Sequence, residues 1–139
     1  MDLILWRHAD AEDGAPDLER PLSAIGRKQA ASMAAWLLER LPKDALVIAS
    51  PAVRAQQTAA ALGKKIHTEN GLAPGASVED VLKAAKGKRT VVVVGHQPDL
   101  GRAAAFLVAG QPAEWPLGKG ALWWISGKAV KAVMSPDLL

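Results

Sequence analysis

Leu3-Ile4-Leu5-Trp6-Arg7-His8 and Val91-Val92-Val93-Val94-Gly95-His96 follow one pattern, in which four apolar residues lead to a histidine two positions later. Short apolar runs of this kind are typical of strands that are buried on both faces of a parallel sheet. A third run, 46–49, ends at Ser50, and Arg54 follows within the first turn of the next predicted helix. The carboxyl ends of neighbouring parallel strands meet at one edge of a sheet, where ligands bind. We therefore expect the polar side chains after these three runs to share one pocket.

Strand and helix patterns alternate along the remainder of the chain. The predicted strands are 2–6, 46–50, 65–69 and 90–94, with a terminal hairpin at 121–126 and 129–133. The predicted helices are 23–41, 51–63, 77–87 and 98–108. This alternation indicates an α/β fold with three layers, α/β/α, a mostly parallel central sheet and an antiparallel strand at its edge. The length of 139 residues favours a single domain over residues 1–139.

The ends of two predicted helices carry recognisable signals. Ser23 suits the N-cap of the first helix, and Pro42 suits its stop near Leu41. We expect the apolar residues of this helix to face the core, and these are Ile25, Met33, Trp36, Leu37 and Leu41. Pro51 suits the first position of the next helix, and 77–80 has the form of a capping box.

Composition excludes several classes of protein. The chain has no cysteine, which rules out disulfides, thiolate metal sites and a cysteine nucleophile. Its net charge of +3 is small, and no run of lysine and arginine resembles a nucleic-acid-binding tract. The apolar runs are far shorter than the ~20 residues that span a bilayer. We therefore expect neither nucleic acid nor membrane as a partner, and the lack of a signal-peptide pattern favours the cytoplasm.

Two histidines and two arginines in one pocket suit phosphate chemistry. The planar guanidinium groups of Arg7 and Arg54 are well matched to phosphate oxygens. Neutral imidazole attacks phosphorus, so His8 is the candidate nucleophile, and the flanking positive charges should lower its pKa. His96 would donate a hydrogen bond to the oxygens as negative charge develops on them. Two cations beside the histidine pair repel a divalent ion, so no metal is predicted.

Two other polar residues receive structural interpretations. His67 lies on a short predicted strand with no motif around it, and a structural role is expected. Ser50 could bind a phosphate oxygen, but a serine directly before a helix is more often a cap.

Four blocks of sequence together resemble the histidine phosphatase superfamily, and most closely its small SixA-type phosphohistidine phosphatases. In chain order they are 5–11 (LWRHADA), 20–26 (RPLSAIG), 50–59 (SPAVRAQQTA) and 95–98 (GHQP). Met134-Ser135-Pro136 is similar to the tail of that group. One departure is Ala9, where the superfamily usually has glycine, so the turn after His8 must avoid conformations that only glycine adopts.

The resemblance implies a phosphoglycerate mutase-like fold, His8 as the phosphorylated residue, and Arg7, Arg54 and His96 as the rest of the phosphate pocket. It also implies that no metal or organic cofactor is needed. Arg20 is a secondary candidate, which either reaches the substrate or anchors the loop. The expected partner is a protein that carries phosphohistidine, such as a phosphotransfer domain or a phosphocarrier.

The leaving group separates the enzymatic alternatives. An alkoxide leaving a phosphate ester needs a general acid, whereas imidazole leaving phosphohistidine is a much weaker base. Superfamily members that act on esters usually take that acid from a longer segment after the third strand or from an inserted cap. In this chain Glu69 is the one carboxylate of 69–75, and the loop carboxylates near His8 are Asp10, Glu12 and Asp13. The short segment favours a phosphohistidine phosphatase with an open pocket.

Two other functions remain open at this point. One is a phosphomonoesterase that acts on a small phosphorylated metabolite, with Glu69 or a loop carboxylate as its acid. The other is a phosphate-binding module without turnover, which the intact set of His8, Arg7, Arg54 and His96 disfavours.

Overall fold

The computed structural model describes residues 2–87 and 89–139. Its strands are β1 (Asp2–Arg7), β2 (Leu46–Ala49), β3 (Ile66–Thr68), β4 (Val91–Gly95), β5 (Leu122–Ser126) and β6 (Ala129–Met134). They form a sheet in the order β3-β2-β4-β1-β5-β6. The first four strands are parallel, β5 pairs antiparallel with β1, and β6 pairs antiparallel with β5 at the edge. The predicted mostly parallel sheet with an antiparallel edge is confirmed.

The helices are α1 (Ala24–Leu38), α2 (Val53–Ala60), α3 (Val78–Ala84) and α4 (Asp99–Ala109). Successive side chains of a strand point to opposite faces, so Ile4 and Trp6 lie in one core with residues of α1 and α2. Leu5 lies in the other core with residues of α3 and α4. The three layers therefore follow from an apolar β1 that must be covered on both sides.

The start signals of two helices are confirmed. The Ser23 hydroxyl accepts a hydrogen bond from Gly26 N, and Ser77 and Asp80 form the reciprocal bonds of a capping box. The prediction for Pro51 is wrong, because α2 begins at Val53 after an Ala52 cap. The Ser50 hydroxyl accepts from Ala52 N and holds the turn that precedes this helix.

The predicted core face of α1 is wrong at one position. Ile25 is 65% exposed. The neighbouring Gly26 is buried, and a methyl group in place of its hydrogen would lie 1.9 Å from the carbonyl oxygen of Asp10. The Gly26 side of α1 packs against the loop that contains Asp10. Ile25 lies about 100° away around the helix and therefore faces solvent.

Two further observations complete the fold. The helix α1 also ends at Leu38, earlier than the predicted end near Leu41. Within residues 2–87 and 89–139, none of the helices is long and apolar enough to cross a bilayer.

Candidate active site

The sheet register brings the predicted pocket residues together. Arg7 pairs with Gly95 across β1 and β4, so His8 and His96 leave the sheet side by side. Their ring centroids are 5.2 Å apart. Ala49 pairs with Val94, which places Ser50 next to His96 on the other side. Three adjacent strand ends thus place both histidines, and the helix that carries Arg54, at one edge.

The hydrogen bonds of His8 identify the ring nitrogen that holds its lone pair. His8 Nδ1 lies 2.7 Å from the carbonyl oxygen of Ala9, and only a protonated nitrogen can bond to a carbonyl. The neutral ring then has its lone pair on Nε2. Arg54 Nε donates to this Nε2 at 3.3 Å, as that tautomer requires. The ring is 8% exposed, so its orientation is held by these bonds and by packing.

Both histidines have a lowered pKa. Burial is the largest cause for His8, followed by the positive charges of Arg54, Arg7 and Arg20, and its pKa is about 4. The hydrogen bond to Ala9 acts in the opposite direction. Burial lowers the pKa of His96 to about 3, with His8 and Arg54 as further causes. Sequence reasoning named the guanidinium charges but missed desolvation, which depends on how deeply the loops cover the rings.

Ser50 contacts His96 directly. Ser50 Oγ lies 2.7 Å from His96 Nε2, and the same hydroxyl accepts from Ala52 N at 3.1 Å. With Ala52 N–H as its donor, the hydroxyl is free to give its own proton to His96 Nε2. The same 2.7 Å contact also fits a proton on Nε2 that is donated to Ser50 Oγ. His96 Nδ1 faces Arg54 Nη2 at 3.5 Å, and a guanidinium can only donate, so this contact requires the lone pair on Nδ1. The prediction that Ser50 caps the helix is wrong, because Ala52 is the N-cap of α2 and accepts no side-chain cap bond. The Ser50 hydroxyl is instead a partner of His96.

Arg7 has a donor that no described residue uses. Its Nη1 donates to the carbonyl oxygen of Leu117 at 2.8 Å, which fixes the guanidinium. Its Nε is buried and has no hydrogen-bond partner among the described residues. A buried charged donor without a partner costs free energy unless a ligand satisfies it. The arrangement is suited to an anion.

Asp17 binds the guanidinium of Arg54, which also contacts His8. Asp17 was not among the residues predicted from the sequence. Its carboxylate accepts from Arg54 Nη2 at 3.1 Å and from Arg20 Nε at 3.0 Å. Its backbone oxygen accepts from Arg54 Nη1 at 2.8 Å. The Arg54 hydrogen bond is the largest cause of a lowered Asp17 pKa, so this carboxylate is ionised at neutral pH. Arg20 bonds within its own loop, to Asp17 and to the carbonyl of Glu12, as the anchoring alternative predicted.

The helix α2 also anchors the backbone around the loop. Thr58 Oγ1 accepts from Ala9 N at 3.0 Å, and Gln57 Oε1 accepts from Leu22 N at 2.7 Å. In the sequence, the only signal for Gln57 and Thr58 was that they lie in the block 50–59, which resembles the superfamily. Ala9 is buried and, like every other described non-glycine residue, has a negative φ. The turn after His8 therefore needs no glycine.

Two of the other candidate carboxylates, Glu69 and Asp10, bond elsewhere. Glu69 accepts from Gly71 N at 3.0 Å and caps the short 3₁₀ turn Asn70–Leu72. Asp10 pairs with Lys119 at 2.7 Å and accepts from Ser23. His67 is exposed on β3. In the described ranges, no cluster of three or more histidine, aspartate and glutamate side chains could hold a metal ion.

Residues 3–75 match the family model of the histidine phosphatase superfamily, branch 1. The chain belongs to the histidine phosphatase superfamily. This histidine phosphatase is 32% identical over 123 residues to the phosphohistidine phosphatase SixA of Escherichia coli K12, covering 80% of this chain and 76% of that protein. It is 34% identical over 110 residues to an uncharacterised protein of Mycobacterium tuberculosis H37Rv, covering 74% and 70%.

Solved structures agree with this assignment. The structure of the protein histidine phosphatase SixA complexed with tungstate superposes with a TM-score of 0.86 at 28% identity, over 99% of both chains. A phosphoserine phosphatase of Entamoeba histolytica, at 16% identity and a TM-score of 0.74, shares the fold alone. The predicted SixA-type, phosphoglycerate mutase-like fold is confirmed. This histidine phosphatase is a phosphatase of the hydrolase class.

Proposed function

We propose that this phosphatase removes the phosphoryl group from a phosphohistidine on a partner protein, through a covalent phospho-His8 intermediate. The observation that carries the proposal is the Nε2 lone pair of His8, oriented by Ala9 and lying 3.3 Å from Arg54 Nε. A neutral, oriented imidazole beside a guanidinium is an activated nucleophile next to the charge that binds its target.

In the first step, His8 Nε2 forms a bond to phosphorus and the nitrogen–phosphorus bond of the substrate breaks. The substrate ring, protonated on its other nitrogen, leaves as neutral imidazole and needs no acid. Arg7 and Arg54 bind the phosphoryl oxygens. With these oxygens in place, the Ser50 hydroxyl donates to His96 Nε2 and His96 donates from Nδ1 as charge develops. In the second step, water oxygen bonds to phosphorus, the bond to His8 Nε2 breaks, and inorganic phosphate leaves with the proton passing to phosphate or solvent.

The distribution of carboxylates supports a weakly basic leaving group. Asp17 contacts the pocket through Arg54, but an ionised carboxylate cannot donate a proton. Glu69, the acid of the phosphomonoesterase alternative, caps Gly71. An ester would leave as a strong base, and among residues 2–87 and 89–139 the one carboxyl group that bonds to a pocket side chain is the ionised Asp17.

The nature of the partner rests on two observations. The segment that joins β3 to α3, 69–77, is too short to form a cap over the pocket. The relatives whose names state a substrate include a phosphohistidine phosphatase and a protein histidine phosphatase. We infer a phosphohistidine-bearing protein, such as a phosphotransfer domain or a phosphocarrier, as the partner.

Radiolabelled phosphohistidine peptide tests the proposal. The native enzyme should acquire label that is lost in acid and retained in alkali, and His8→Ala should acquire none. His67→Ala, which changes an exposed histidine outside the pocket, is the matched control and should label like the native protein. Label that persists in His8→Ala would overturn the intermediate. Turnover of alkyl phosphate esters at a rate similar to that of the peptide would favour the phosphomonoesterase. Binding of the peptide without turnover would favour the phosphate-binding module.

A further inference from the structure

A groove of about 520 Å³ lies between α1 and the C-terminal part of the chain. Ile25, Lys28 and Gln29 form its α1 side. Gly118, Lys119 and Pro136 are on the opposite side. None of these residues belongs to the phosphate pocket described above.

The groove adjoins the phosphate pocket through the loop 117–120. The pocket side of this loop provides the Leu117 carbonyl that holds Arg7, and Gly120 N donates to the backbone oxygen of His8 at 3.0 Å. The groove side provides Gly118 and Lys119. Gln29 makes a second connection, since its Oε1 accepts from Asp10 N at 2.9 Å, two residues beyond His8. A molecule bound at His8 therefore lies next to the groove.

The groove combines an exposed apolar side chain with positive charge. Ile25 is the most exposed isoleucine or valine among the described residues, although it begins a helix whose other apolar residues are mostly in the core. Lys28, one turn further along α1, has no carboxylate partner within residues 2–87 and 89–139. Lys119 is 52% exposed and pairs with Asp10. Asp137 is the one carboxylate in the groove lining, and it accepts from the Ser135 hydroxyl.

We propose that this groove docks the protein that carries the phosphohistidine, through an apolar residue against Ile25 and carboxylates against Lys28 and Lys119. The inference rests on the proposed function and adds a recognition surface to it. Charge complementarity identifies the occupant, because Lys28, unpaired among the described residues, and the exposed Lys119 lie beside a pocket that contains Arg7 and Arg54. An acidic protein surface is attracted to such a face, and a protein presents further side chains beside its phosphohistidine that can reach it.

Two phosphohistidine peptides and one small substrate test the docking surface. One peptide has leucine and glutamates beside the phosphohistidine, and the other has alanine and glutamines in their place. Phosphoimidazole supplies the same leaving group with nothing to dock. The enzymes are the native protein, Ile25→Ser, Lys28→Glu and the control Lys128→Glu, whose exposed lysine lies in the β5–β6 turn beside the amino end of β1.

The native enzyme and Lys128→Glu should prefer the acidic peptide by about tenfold in kcat/KM, and added salt should reduce that preference. Ile25→Ser should weaken it, and Lys28→Glu should abolish it. All four proteins should hydrolyse phosphoimidazole at rates within about twofold, which shows that each is folded. Equal native rates on both peptides, or a preference that survives Lys28→Glu, would overturn the docking surface alone. No native turnover of any of the three substrates would overturn the phosphohistidine assignment, and the docking surface with it.

Discussion

The carboxylate of Asp17 accepts from Arg54 Nη2 at 3.1 Å, on the same guanidinium that donates from Nε to His8. An anion in the pocket must share this guanidinium with Asp17. The ion pair thus fixes the orientation of Arg54 and also opposes the binding of phosphate.

Asp17→Asn should make inorganic phosphate a stronger inhibitor, by about three- to tenfold in inhibition constant, because the competing negative charge is removed. The effect is modest since the Asp17 side chain is 57% exposed. Glu19→Gln removes the same charge from the same 3₁₀ turn without a bond to Arg54, and it should leave the constant unchanged. Weaker inhibition in Asp17→Asn would show that the carboxylate serves only to hold Arg54 in place.

Stability should decrease as pH falls from about 6.5 to about 4. In the unfolded chain a histidine takes up its proton near pH 6.5, whereas folding holds the pKa of His8 at about 4 and that of His96 at about 3. The unfolded state therefore binds more protons in this range, and the free energy of unfolding drops with pH. Urea denaturation near pH 7 and pH 5 should show a smaller drop for His8→Gln and His96→Gln than for the native chain. Equal drops would contradict the lowered pKa values.

The lowered pKa of His8 also predicts how kcat/KM depends on pH below neutrality. Since His8 stays neutral down to about pH 4, kcat/KM should lack a limb near pH 6.5 that belongs to the enzyme. The titration of the substrate itself should be measured separately by ³¹P NMR, so that its limb can be told from that of the enzyme. An enzyme limb near pH 6.5 would place the His8 pKa at its ordinary value.

Ser50→Ala should lower kcat by about two- to tenfold, with a smaller change in KM, because His96 loses the partner that sets its tautomer. Ser50 is a positioning residue in this prediction. Ser50→Thr retains the hydroxyl and should restore much of the rate. With inorganic phosphate bound, the ¹⁵N shifts of His96 should report protonated Nδ1 in the native protein and a move toward protonated Nε2 in Ser50→Ala. An unchanged tautomer would assign Ser50 to the turn alone.

Gly26→Ala should destabilise the fold by about 1–3 kcal/mol and reduce activity. The added methyl group would lie 1.9 Å from the carbonyl oxygen of Asp10, whose backbone continues from His8. Gly118→Ala has no heavy atom within 4 Å of the added methyl group and is the control for urea denaturation. If both variants unfold at the same urea concentration, the close approach of α1 to the loop around Asp10 does not contribute to stability.

The sequence by itself determined the sheet and the members of the pocket. The apolar runs 3–6 and 91–94 had to be buried strands, and parallel pairing brings the residues that follow them to one edge. His8, His96, Arg7 and Arg54 could be named for this reason, and their catalytic roles stay predictions. The single domain over residues 1–139 also stays a prediction.

Tertiary structure alone decided how those side chains are held. Arg7 Nη1 and His8 Nδ1 bond to backbone carbonyls, those of Leu117 and Ala9, and a backbone acceptor leaves no mark in a sequence. Asp17 reaches Arg54 across 37 positions of chain, through a loop with no period to follow. The outward turn of Ile25 likewise depends on the contact between Gly26 and Asp10. Periodicity identifies which residues are buried, whereas loop packing sets the orientations and desolvation on which the chemistry depends.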